Sequence, residues 1–462
     1  MKRKIISVLV IILLAFNSIS FIAEANSGRG NSGNAPGKNK ETTTEVVQQP
    51  VAESEVPEEQ KEANESIQPT EEINTTTHVV QSGDTLWRLS LQYQTTVENI
   101  KQLNNLTSDV LFVGQVLVVP ALPPSEPQPK EEQEPIVVEP IQEVKRELMN
   151  LAYYTKYWHT DMNSYNNLTS YHSYLNSIAV TAYDVTAKGT IEGFDAPEAV
   201  DFSKANSVTP YVTIQNKFDP AMTNIILSNP SLRATTIQNM LELVRVKGYE
   251  GINLNFENMY ASDRANFNQF VKELVEVFHA HDYPVIVSVP AKTADFPTWA
   301  WSGTFEYRTI GELADYVQIM TYDQHGSWGE PGPVAGLNWV ENVLRYATNE
   351  IPADKILIGL PAYAYDWNLD QPSRNRAITW KQVKTLLNTT GASVQWDNAA
   401  QSPFFQYTDG NGERHTVWFE NESSITLKTE LVHKYQLGGV STWRMGQEDE
   451  SFWNAVQQGL QR

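Results

Sequence analysis

The stretch GYEGINLNFENM, residues 248–259, lies near the middle of the chain and indicates the fold of the large C-terminal region. Apolar residues at positions 252, 254 and 256 alternate there with the polar residues Asn253, Asn255 and Glu257. Because successive side chains of a β-strand point to opposite faces, the three polar residues share one face. The pattern is typical of a barrel strand that presents an acid, here Glu257, at the barrel mouth.

Similar strand-like runs recur from about residue 147 to the end of the chain. They are LMNLAYYT, SIAVTAY, SVTPYVTI, GINLNFE, PVIVSVPA, YVQIMTYD, KILIGLPAYAY and GGVSTWRM. Segments such as SLRATTIQNMLELVRVKG and DRANFNQFVKELVEVFHAHD lie between them and repeat apolar residues with the helical period. Eight β-runs separated by helices predict an α/β fold, a (β/α)8 TIM barrel over residues 147–462.

Two details refine this prediction. An open doubly wound sheet is the alternative, but no G-x-G-x-x-G follows the first strand to support nucleotide binding. The interval between AYAYDW and GGVSTW is too long for one crossover connection. It predicts a small α+β insertion before the last strand, around residues 378–417.

The polar face of the central strand needs an explanation, because an unpaired buried amide costs about 1–3 kcal/mol. One interpretation is a satisfied polar network in the barrel core. The other is a functional site. The position of Glu257 favours the site, because barrel enzymes place their chemistry at the C-terminal ends of the strands.

The first residues of the sequence predict export. Lys2, Arg3 and Lys4 precede the apolar run IISVLVIILLAF, and small residues at positions 23 and 25 offer a cleavage site. This arrangement predicts a secretory signal peptide over residues 1–25 and a secreted mature protein without stable membrane insertion. An uncleaved membrane anchor is the alternative, but the run is short for spanning a bilayer. The chain contains no cysteine, which excludes a disulfide framework and a lipid-modified cysteine.

Two segments have the composition of linkers. Residues 26–76 begin with a Gly-, Ser- and Asn-rich piece and continue with a stretch rich in Glu, Thr, Gln and Pro, which predicts a disordered acidic linker. Residues 121–146 are rich in Pro and Glu and predict a second, extended linker. The formal net charge of −21 argues against nucleic acid as a partner, because phosphate binding needs clustered Lys and Arg.

Between the linkers, residues 77–120 contain a small pattern of strand, helix, helix and strand, with Asp84 as a good N-cap of the first helix. This βααβ segment closely resembles a LysM domain, a family that binds N-acetylglucosamine-containing glycans such as peptidoglycan and chitin. The resemblance implies that Gly83, Asp84 and Thr85, together with residues 106–111, line the sugar groove. A small fold without a ligand is the alternative.

The large domain resembles glycoside hydrolase family 18, whose fourth strand carries the pattern D-G-x-D-x-D-x-E. The corresponding residues here, 250–257, are EGINLNFE. MTYD at residues 320–323 and STWR at residues 441–444 match at the ends of the sixth and eighth strands. The resemblance covers the whole domain. Together with the LysM segment it is closest to the spore-germination branch, whose members resemble cortex-lytic N-acetylglucosaminidases of endospore formers.

This resemblance implies catalysis without a protein nucleophile, in which the 2-acetamido carbonyl of the substrate attacks the anomeric carbon and forms an oxazolinium ion. Glu257 would protonate the leaving oxygen and then act as the base on water. Tyr322 would donate its hydroxyl to the acetamido carbonyl oxygen, and Trp443 would form the floor under the sugar. Asp323 would bind a hydroxyl or help to position the acetamido group.

The resemblance also places Tyr153, Gln318 and Asn253 among the substrate-binding residues. Asn253 lies deeper in the strand and would mainly support its neighbour. The aromatic residues at positions 328, 365 and 367 suit stacking against sugar faces, although such residues serve equally well in a core.

Asn253 and Asn255 depart from the family pattern, because the family has aspartates at both positions. Asn255 can still accept the acetamido N–H through its carbonyl oxygen, but it brings no charge to the oxazolinium ion. A charge pair about 4 Å apart contributes roughly 4 kcal/mol at an effective dielectric of about 20, so its loss slows the step by up to about a thousandfold. Asn255 also cannot raise the pKa of Glu257 by repulsion. We therefore expect a slower or more specialised enzyme, unless another acid such as Asp323 compensates.

The sequence thus predicts a secreted, monomeric N-acetylglucosaminidase without cofactor or metal. It would associate with the cell wall or the spore and cleave β-1,4 bonds after N-acetylglucosamine in peptidoglycan. The alternatives are a chitinase and a weak or inactive glycan-binding protein, whose two sites would gain avidity. A metal-dependent hydrolase is disfavoured, because the eight histidines are scattered and no H-E-x-x-H occurs.

Overall fold

The computed structural model describes residues 74–80, 84–106, 108, 111, 114–121 and 147–461. They belong to two compact units, a small N-terminal one and a large C-terminal one. The predicted signal peptide, most of the predicted linker 26–76 and nearly all of the linker 121–146 lie outside the described residues. Within the described part of the chain, no helix has both the length and the apolar character needed to cross a bilayer.

The small unit has the predicted βααβ order. Its elements are β1 (Thr75–Val79), α1 (Leu86–Gln92), α2 (Val97–Leu103) and β2 (Val116–Pro120). The two strands pair antiparallel, and β1 begins slightly before residue 77, the predicted start of the domain. Leu86 and Leu89 of α1 pack with Ile100 of α2 and with Leu117 and Val119 of β2 in one buried core. The apolar residues at helical spacing in α1 and α2 therefore form the core of the small unit.

The large unit alternates strands and helices. Its first half contains β3 (Met149–Thr155), α3 (Asn163–Tyr171), β4 (Ser177–Val185), β5 (Ile191–Gly193), α4 (Pro197–Ala205), β6 (Thr209–Gln215), α5 (Pro220–Ser228), α6 (Pro230–Lys247), β7 (Gly251–Asn255) and α7 (Arg264–His279). It continues with β8 (Val285–Pro290), α8 (Tyr307–Leu313), β9 (Tyr316–Met320), α9 (Leu337–Glu350) and β10 (Ile356–Pro361). The last elements are β11 (Tyr363–Asn368), β12 (Arg376–Thr379), α10 (Trp380–Thr390), β13 (Gln395–Asp397), β14 (Ser402–Thr408), β15 (Arg414–Trp418), α11 (Glu422–Lys434), β16 (Gly439–Trp443) and α12 (Glu450–Leu460).

Eight parallel strands close into a barrel. The order is β3-β16-β10-β9-β8-β7-β6-β4, and β3 pairs with β4 as well as with β16, so the sheet returns to itself. The short strand β5 pairs antiparallel with β4 at the side. The predicted (β/α)8 barrel is confirmed. Closure places the C-terminal ends of all eight strands around one mouth.

The alternation in β7 explains how the barrel is filled. Ile252, Leu254 and Phe256 belong to the large apolar cluster that also contains residues of the surrounding helices, such as Phe270 of α7. The opposite face of β7 carries Asn253 and Asn255, both buried. The preceding helix ends shortly before this strand. Gly248 caps the C-terminus of α6 in the left-handed conformation with φ 74°, and β7 begins at Gly251.

The inserted subdomain is a five-stranded antiparallel sheet with the order β12-β11-β15-β14-β13, and α10 lies between β12 and β13. It starts earlier than predicted. The run KILIGLPAYAY, expected to be one strand, is divided between barrel strand β10 and inserted strand β11. At the junction, the N–H of Ala362 donates to the carbonyl of Trp443 at 2.8 Å, and the Trp380 N–H donates to the Ala362 carbonyl at 3.0 Å. The division went unseen because both strands are buried and only Ala362 separates them, while the polar residues Asp366 and Asn368 come later in β11.

Candidate active site

Glu257 lies just beyond the end of β7, and its backbone is fixed by one buried side chain. The amide of Asn216, directly after β6, donates from Nδ2 to the Glu257 carbonyl at 2.7 Å. Its Oδ1 accepts from the Glu257 N–H at 3.0 Å. Asn216 also donates to the hydroxyl of Thr223 at 2.8 Å. Sequence reasoning missed Asn216, although a polar residue at the end of a buried strand was a usable signal.

Asn255 contacts the carboxylate of Glu257 directly. Its Nδ2 donates to Glu257 Oε1 at 3.0 Å. Its Oδ1 is buried and accepts no hydrogen bond from the described residues. An unsatisfied buried carbonyl costs free energy, so it is a natural acceptor for an N–H that a ligand brings. The side chain therefore holds the acid on one side and offers an empty acceptor on the other.

Burial changes the acid chemistry of Glu257. The side chain is only partly exposed, and desolvation raises its pKa from 4.5 to about 7. The hydrogen bond from Asn255 opposes this shift, and the negative charge of Asp323 reinforces it. A carboxyl group with this pKa can hold a proton near neutral pH and also release it, which both general acid and general base catalysis require.

Asn253 lies deeper in the barrel than Asn255 and belongs to a satisfied network. Its Nδ2 donates to Ser288 Oγ on β8 at 2.9 Å, and its Oδ1 accepts from Thr213 on β6 at 3.1 Å. The Tyr153 hydroxyl of β3 lies 3.0 Å from the same Ser288 Oγ. The polar face of β7 thus combines both interpretations, a core network at Asn253 and a reactive group at Glu257.

The end of β9 brings three predicted residues to the barrel. Burial raises the pKa of Tyr322 far above its ordinary value, and the nearby charges of Asp323 and Glu257 act in the same direction. Tyr322 therefore keeps its proton and can donate it in a hydrogen bond. Gln318 lies beside Tyr322, fully buried, and its Nε2 has no partner among the described residues.

Asp323 is held by two tyrosines of the inserted sheet. Its Oδ1 accepts from the hydroxyl of Tyr363 at 2.6 Å and from that of Tyr365 at 2.8 Å. Its backbone is left-handed, with φ 60°, a conformation that is uncommon for a residue other than glycine. Burial raises the pKa of Asp323, while the two tyrosine hydrogen bonds oppose that rise.

Trp443 ends β16 and lies half-buried beside Tyr153. Their ring centroids are 5.3 Å apart at an interplanar angle of 60°. Trp443 and Tyr322 both pack against a buried aromatic cluster that includes Tyr365 and Trp367. The Trp367 indole donates to two backbone carbonyls, which identifies it as a core residue rather than a stacking surface. Trp328, by contrast, is 50% exposed.

Loops after several strands carry further exposed aromatic side chains that the sequence analysis did not single out. They follow β3, β7 and β8: Tyr157, Trp158, Tyr260, Phe296, Trp299 and Trp301. Phe296 and Trp299 stack with centroids 4.4 Å apart. Because all these loops leave the C-terminal ends of barrel strands, the aromatic rings surround the same mouth as Glu257.

In the small unit, Gly83 lies outside the described residues. Asp84 Oδ2 is 2.7 Å from His78 Nε2, and Thr85 is exposed. Of the predicted groove segment, Leu106 and Leu111 pack against the core of the small unit.

One group in the described part of the chain has the composition of a metal site. Asp409, Glu413 and His415, on the β14–β15 hairpin, place ligand atoms within 4.8 Å of one another. However, the Glu413 carboxylate already accepts two hydrogen bonds from Arg374 at 2.8 and 2.9 Å and one from Asn368 at 2.5 Å. The positive charge of Arg374 therefore already neutralises the Glu413 carboxylate.

Comparison with known proteins agrees with this geometry. The profile described as LysM domain matches residues 78–120, and the profile described as Glycosyl hydrolases family 18 matches residues 150–448.

The uncharacterized glycosylase YvbX of Bacillus subtilis (strain 168) is 35% identical over 65% of this chain and 89% of its own length. The cortical fragment-lytic enzyme of the same organism is 28% identical over 81% of this chain and 96% of its own. The crystal structure of a chitinase from Chromobacterium violaceum ATCC 12472 superposes with a TM-score of 0.65 at 36% identity, over 68% of this chain and 100% of its own. The chain belongs to glycosyl hydrolases family 18.

Proposed function

We propose that this glycoside hydrolase is a secreted N-acetylglucosaminidase that cleaves the β-1,4 bond after N-acetylglucosamine in peptidoglycan. The observation that carries the proposal is Glu257, a desolvated acid with a pKa of about 7, beside an Asn255 carbonyl oxygen that accepts no hydrogen bond from the described residues. This pair offers a proton to a glycosidic oxygen and an acceptor to an acetamido N–H. The relative described as a cortical fragment-lytic enzyme, aligned over 81% of this chain, supports peptidoglycan as the substrate class.

In the first step, the Glu257 carboxyl donates its proton to the glycosidic oxygen as the C1–O bond breaks. The acetamido carbonyl oxygen of the same sugar forms the new bond to C1, which gives an oxazolinium ion and a free sugar hydroxyl. In the second step, the Glu257 carboxylate takes a proton from water while the water oxygen attacks C1. The ring opens, the acetamido group is restored and the configuration at C1 is retained.

Four side chains would hold the reacting sugar. Asn255 Oδ1 would accept the acetamido N–H, and Tyr322 would donate its O–H to the acetamido oxygen. Trp443 would form the floor under the ring, in contact with Tyr153. Asp323 would bring a negative charge toward the forming cation. These roles use the open acceptor of Asn255 and the protonated phenol of Tyr322.

The deeper residues would support this arrangement from below. The side chain of Asn253 already forms hydrogen bonds with Ser288 and Thr213. We propose that it holds β7, and with it Asn255, in place and makes little contact with the substrate. Gln318 lies close to the Tyr322 hydroxyl, and its buried Nε2 has no other partner among the described residues, so it would donate to the phenol oxygen and orient it.

The LysM domain would bind the same class of polymer and keep the enzyme at the wall or the spore. A protein of this kind acts outside the cytoplasm, which agrees with the predicted signal peptide. We propose that the protein acts as a monomer.

The decisive experiment is mass spectrometry of muropeptides after incubation of the protein, and of its Glu257→Gln variant, with purified spore cortex and with vegetative peptidoglycan. New fragments ending in reducing N-acetylglucosamine, from the wild type alone, would support the proposal. Sedimentation of both proteins with the glycan, without cleavage by either, would instead identify a binding protein.

A chitinase is the second candidate, and the 36% identity to the Chromobacterium violaceum chitinase favours it. The acetamido chemistry is the same, because every sugar of chitin is N-acetylglucosamine. Parallel incubation with chitin oligosaccharides separates the two functions: faster cleavage of chitin than of both peptidoglycans would replace the proposed substrate.

A further inference from the structure

The inserted sheet contributes two side chains to the barrel mouth that no part of the proposed mechanism uses. Tyr363 and Tyr365 lie two residues apart on β11, so both rings leave the same face of the strand. Their hydroxyls donate to one and the same oxygen, Oδ1 of Asp323. Among the described residues, no hydrogen bond engages the other oxygen, Oδ2.

We propose that Tyr363 and Tyr365 are positioning residues, which fix Asp323 as the counter-charge for the oxazolinium ion in place of the charge that Asn255 lacks. The inference rests on the proposed function, and it assigns a catalytic purpose to the inserted subdomain. The two phenols neutralise none of the charge of Asp323. They orient it and leave one oxygen for the site.

The tyrosines themselves have little freedom. Tyr363 is 7% exposed and Tyr365 is 2% exposed. Their ring centroids are 5.7 Å apart, and Tyr365 also packs against Trp367 at 5.6 Å. On either side, β11 pairs with β12 and with β15, so its backbone cannot slide. Because the two tyrosines are already ordered, little conformational entropy is lost when their hydroxyls hold Asp323 in place.

Asp323 acts on the reactive residues and is not a remote structural acid. Its charge is one of the causes that raise the pKa of Glu257 and of Tyr322. Tyr363 connects the two sides of the site, because its ring also contacts Tyr322 with centroids 6.2 Å apart. The left-handed backbone of Asp323, at φ 60°, is a strained conformation that the surrounding contacts must maintain.

The test is a set of four enzymes: the wild type, Asn255→Asp, the double variant Tyr363→Phe/Tyr365→Phe, and the combination of all three substitutions. If Asp323 supplies the missing charge, the double variant loses about 100-fold in kcat/KM, and Asn255→Asp restores at least about tenfold of that loss. In the wild-type background, the same Asn255→Asp change adds less than about threefold. A purely structural role of the tyrosines predicts equal effects of Asn255→Asp in both backgrounds, and that result would overturn the inference.

Tyr407→Phe is the matched control. The Tyr407 hydroxyl also donates to a carboxylate of the inserted sheet, Asp366 Oδ2 at 2.9 Å, but not to Asp323. The Tyr407→Phe substitution removes a tyrosine hydroxyl from the same subdomain. We expect kcat/KM of this variant to stay within about twofold of the wild type. A loss equal to that of the double variant would show that any loosening of the sheet suffices, and would refute the positioning role.

A second readout does not depend on turnover. Carbon-13 NMR of labelled aspartate carboxyls, assigned with Asp323→Asn, follows the titration of Asp323 directly. Both phenols stabilise the charged form, so their removal raises the pKa of Asp323, and the double variant titrates at a higher pH than the wild type. An unchanged titration would overturn the inference. A wild type that cleaves no glycan would instead overturn the proposed function.

Discussion

The ends of β7 and β9 each bring one carboxylic acid to the barrel mouth, and the two acids have different hydrogen-bond partners. Glu257 accepts a hydrogen bond from the amide of Asn255, and desolvation raises its pKa to about 7. Burial raises the pKa of Asp323 as well, but two phenol hydrogen bonds oppose that rise. Two acids with different partners can divide the work, one transferring protons and the other remaining an anion. We propose that Asp323 at the end of β9 supplies the charge that Asn255 lacks at the end of β7, and the following predictions test this division.

Glu257→Gln should have the largest effect, because it removes the only proton donor that the mechanism uses. We expect kcat/KM on peptidoglycan fragments to fall by about a thousandfold or more. Glu250→Gln is a suitable control, since Glu250 precedes β7 and lies at its opposite end, in an exposed pair with Lys204. If Glu257→Gln kept a tenth of the activity, the proton transfer would have to be assigned to the end of β9 instead.

Tyr322→Phe should come next, because it removes a donor to the oxygen that forms the oxazolinium ring. Loss of one such donor lowers kcat by about a hundredfold. The same substitution at Tyr316, which starts β9 at the far end of the barrel, should cost less than about threefold. Steady-state rates on peptidoglycan fragments measure both variants, and equal losses would contradict the role of Tyr322.

The pH dependence of kcat/KM should report the protonation of the Glu257 carboxyl group. Because its carboxyl must be protonated in the first step, the rate should fall to half near pH 7 and then by about tenfold per pH unit. In Asn255→Asp a second negative charge beside Glu257 raises its pKa, so the alkaline limb should move upward by about one unit. A limb that stays in place would mean that Asn255 and Glu257 do not interact in the working enzyme.

The smallest expected effect concerns stability. The pKa of Glu257 is higher in the folded state than in the unfolded chain, so ionisation opposes folding, and stability is lost as the pH rises from about 4.5 through about 7. Glu257→Gln cannot ionise and should escape this loss. We expect its Tm to exceed that of the wild type by at least about 2 °C at pH 8, with a smaller difference at pH 4. Calorimetry at the two pH values checks this, and an equal difference at both would contradict the pKa assignment.

The barrel could be predicted because its strands are buried on both faces and its helices keep an apolar period, which are local properties of a sequence. The boundary of the inserted sheet could not be predicted, because only Ala362 separates β10 from β11 and both strands are buried along their whole length. Glu257 and Tyr322 were predicted from motifs at strand ends. Asn216, Tyr363 and Tyr365 act on residues about 40 positions away in the chain, and no local pattern encodes such pairings.

The Ala362 junction has a consequence for motion. Its N–H donates to the carbonyl of Trp443 and its carbonyl accepts from the Trp380 N–H, so it links the barrel, the proposed floor residue and the inserted subdomain. We expect elements linked in this way to open together. The amides of Ala362 and of its β10 neighbours should therefore exchange with deuterium at the same slow rate as those of β11. We therefore expect that loosening of the inserted sheet also loosens Trp443, the proposed floor under the sugar.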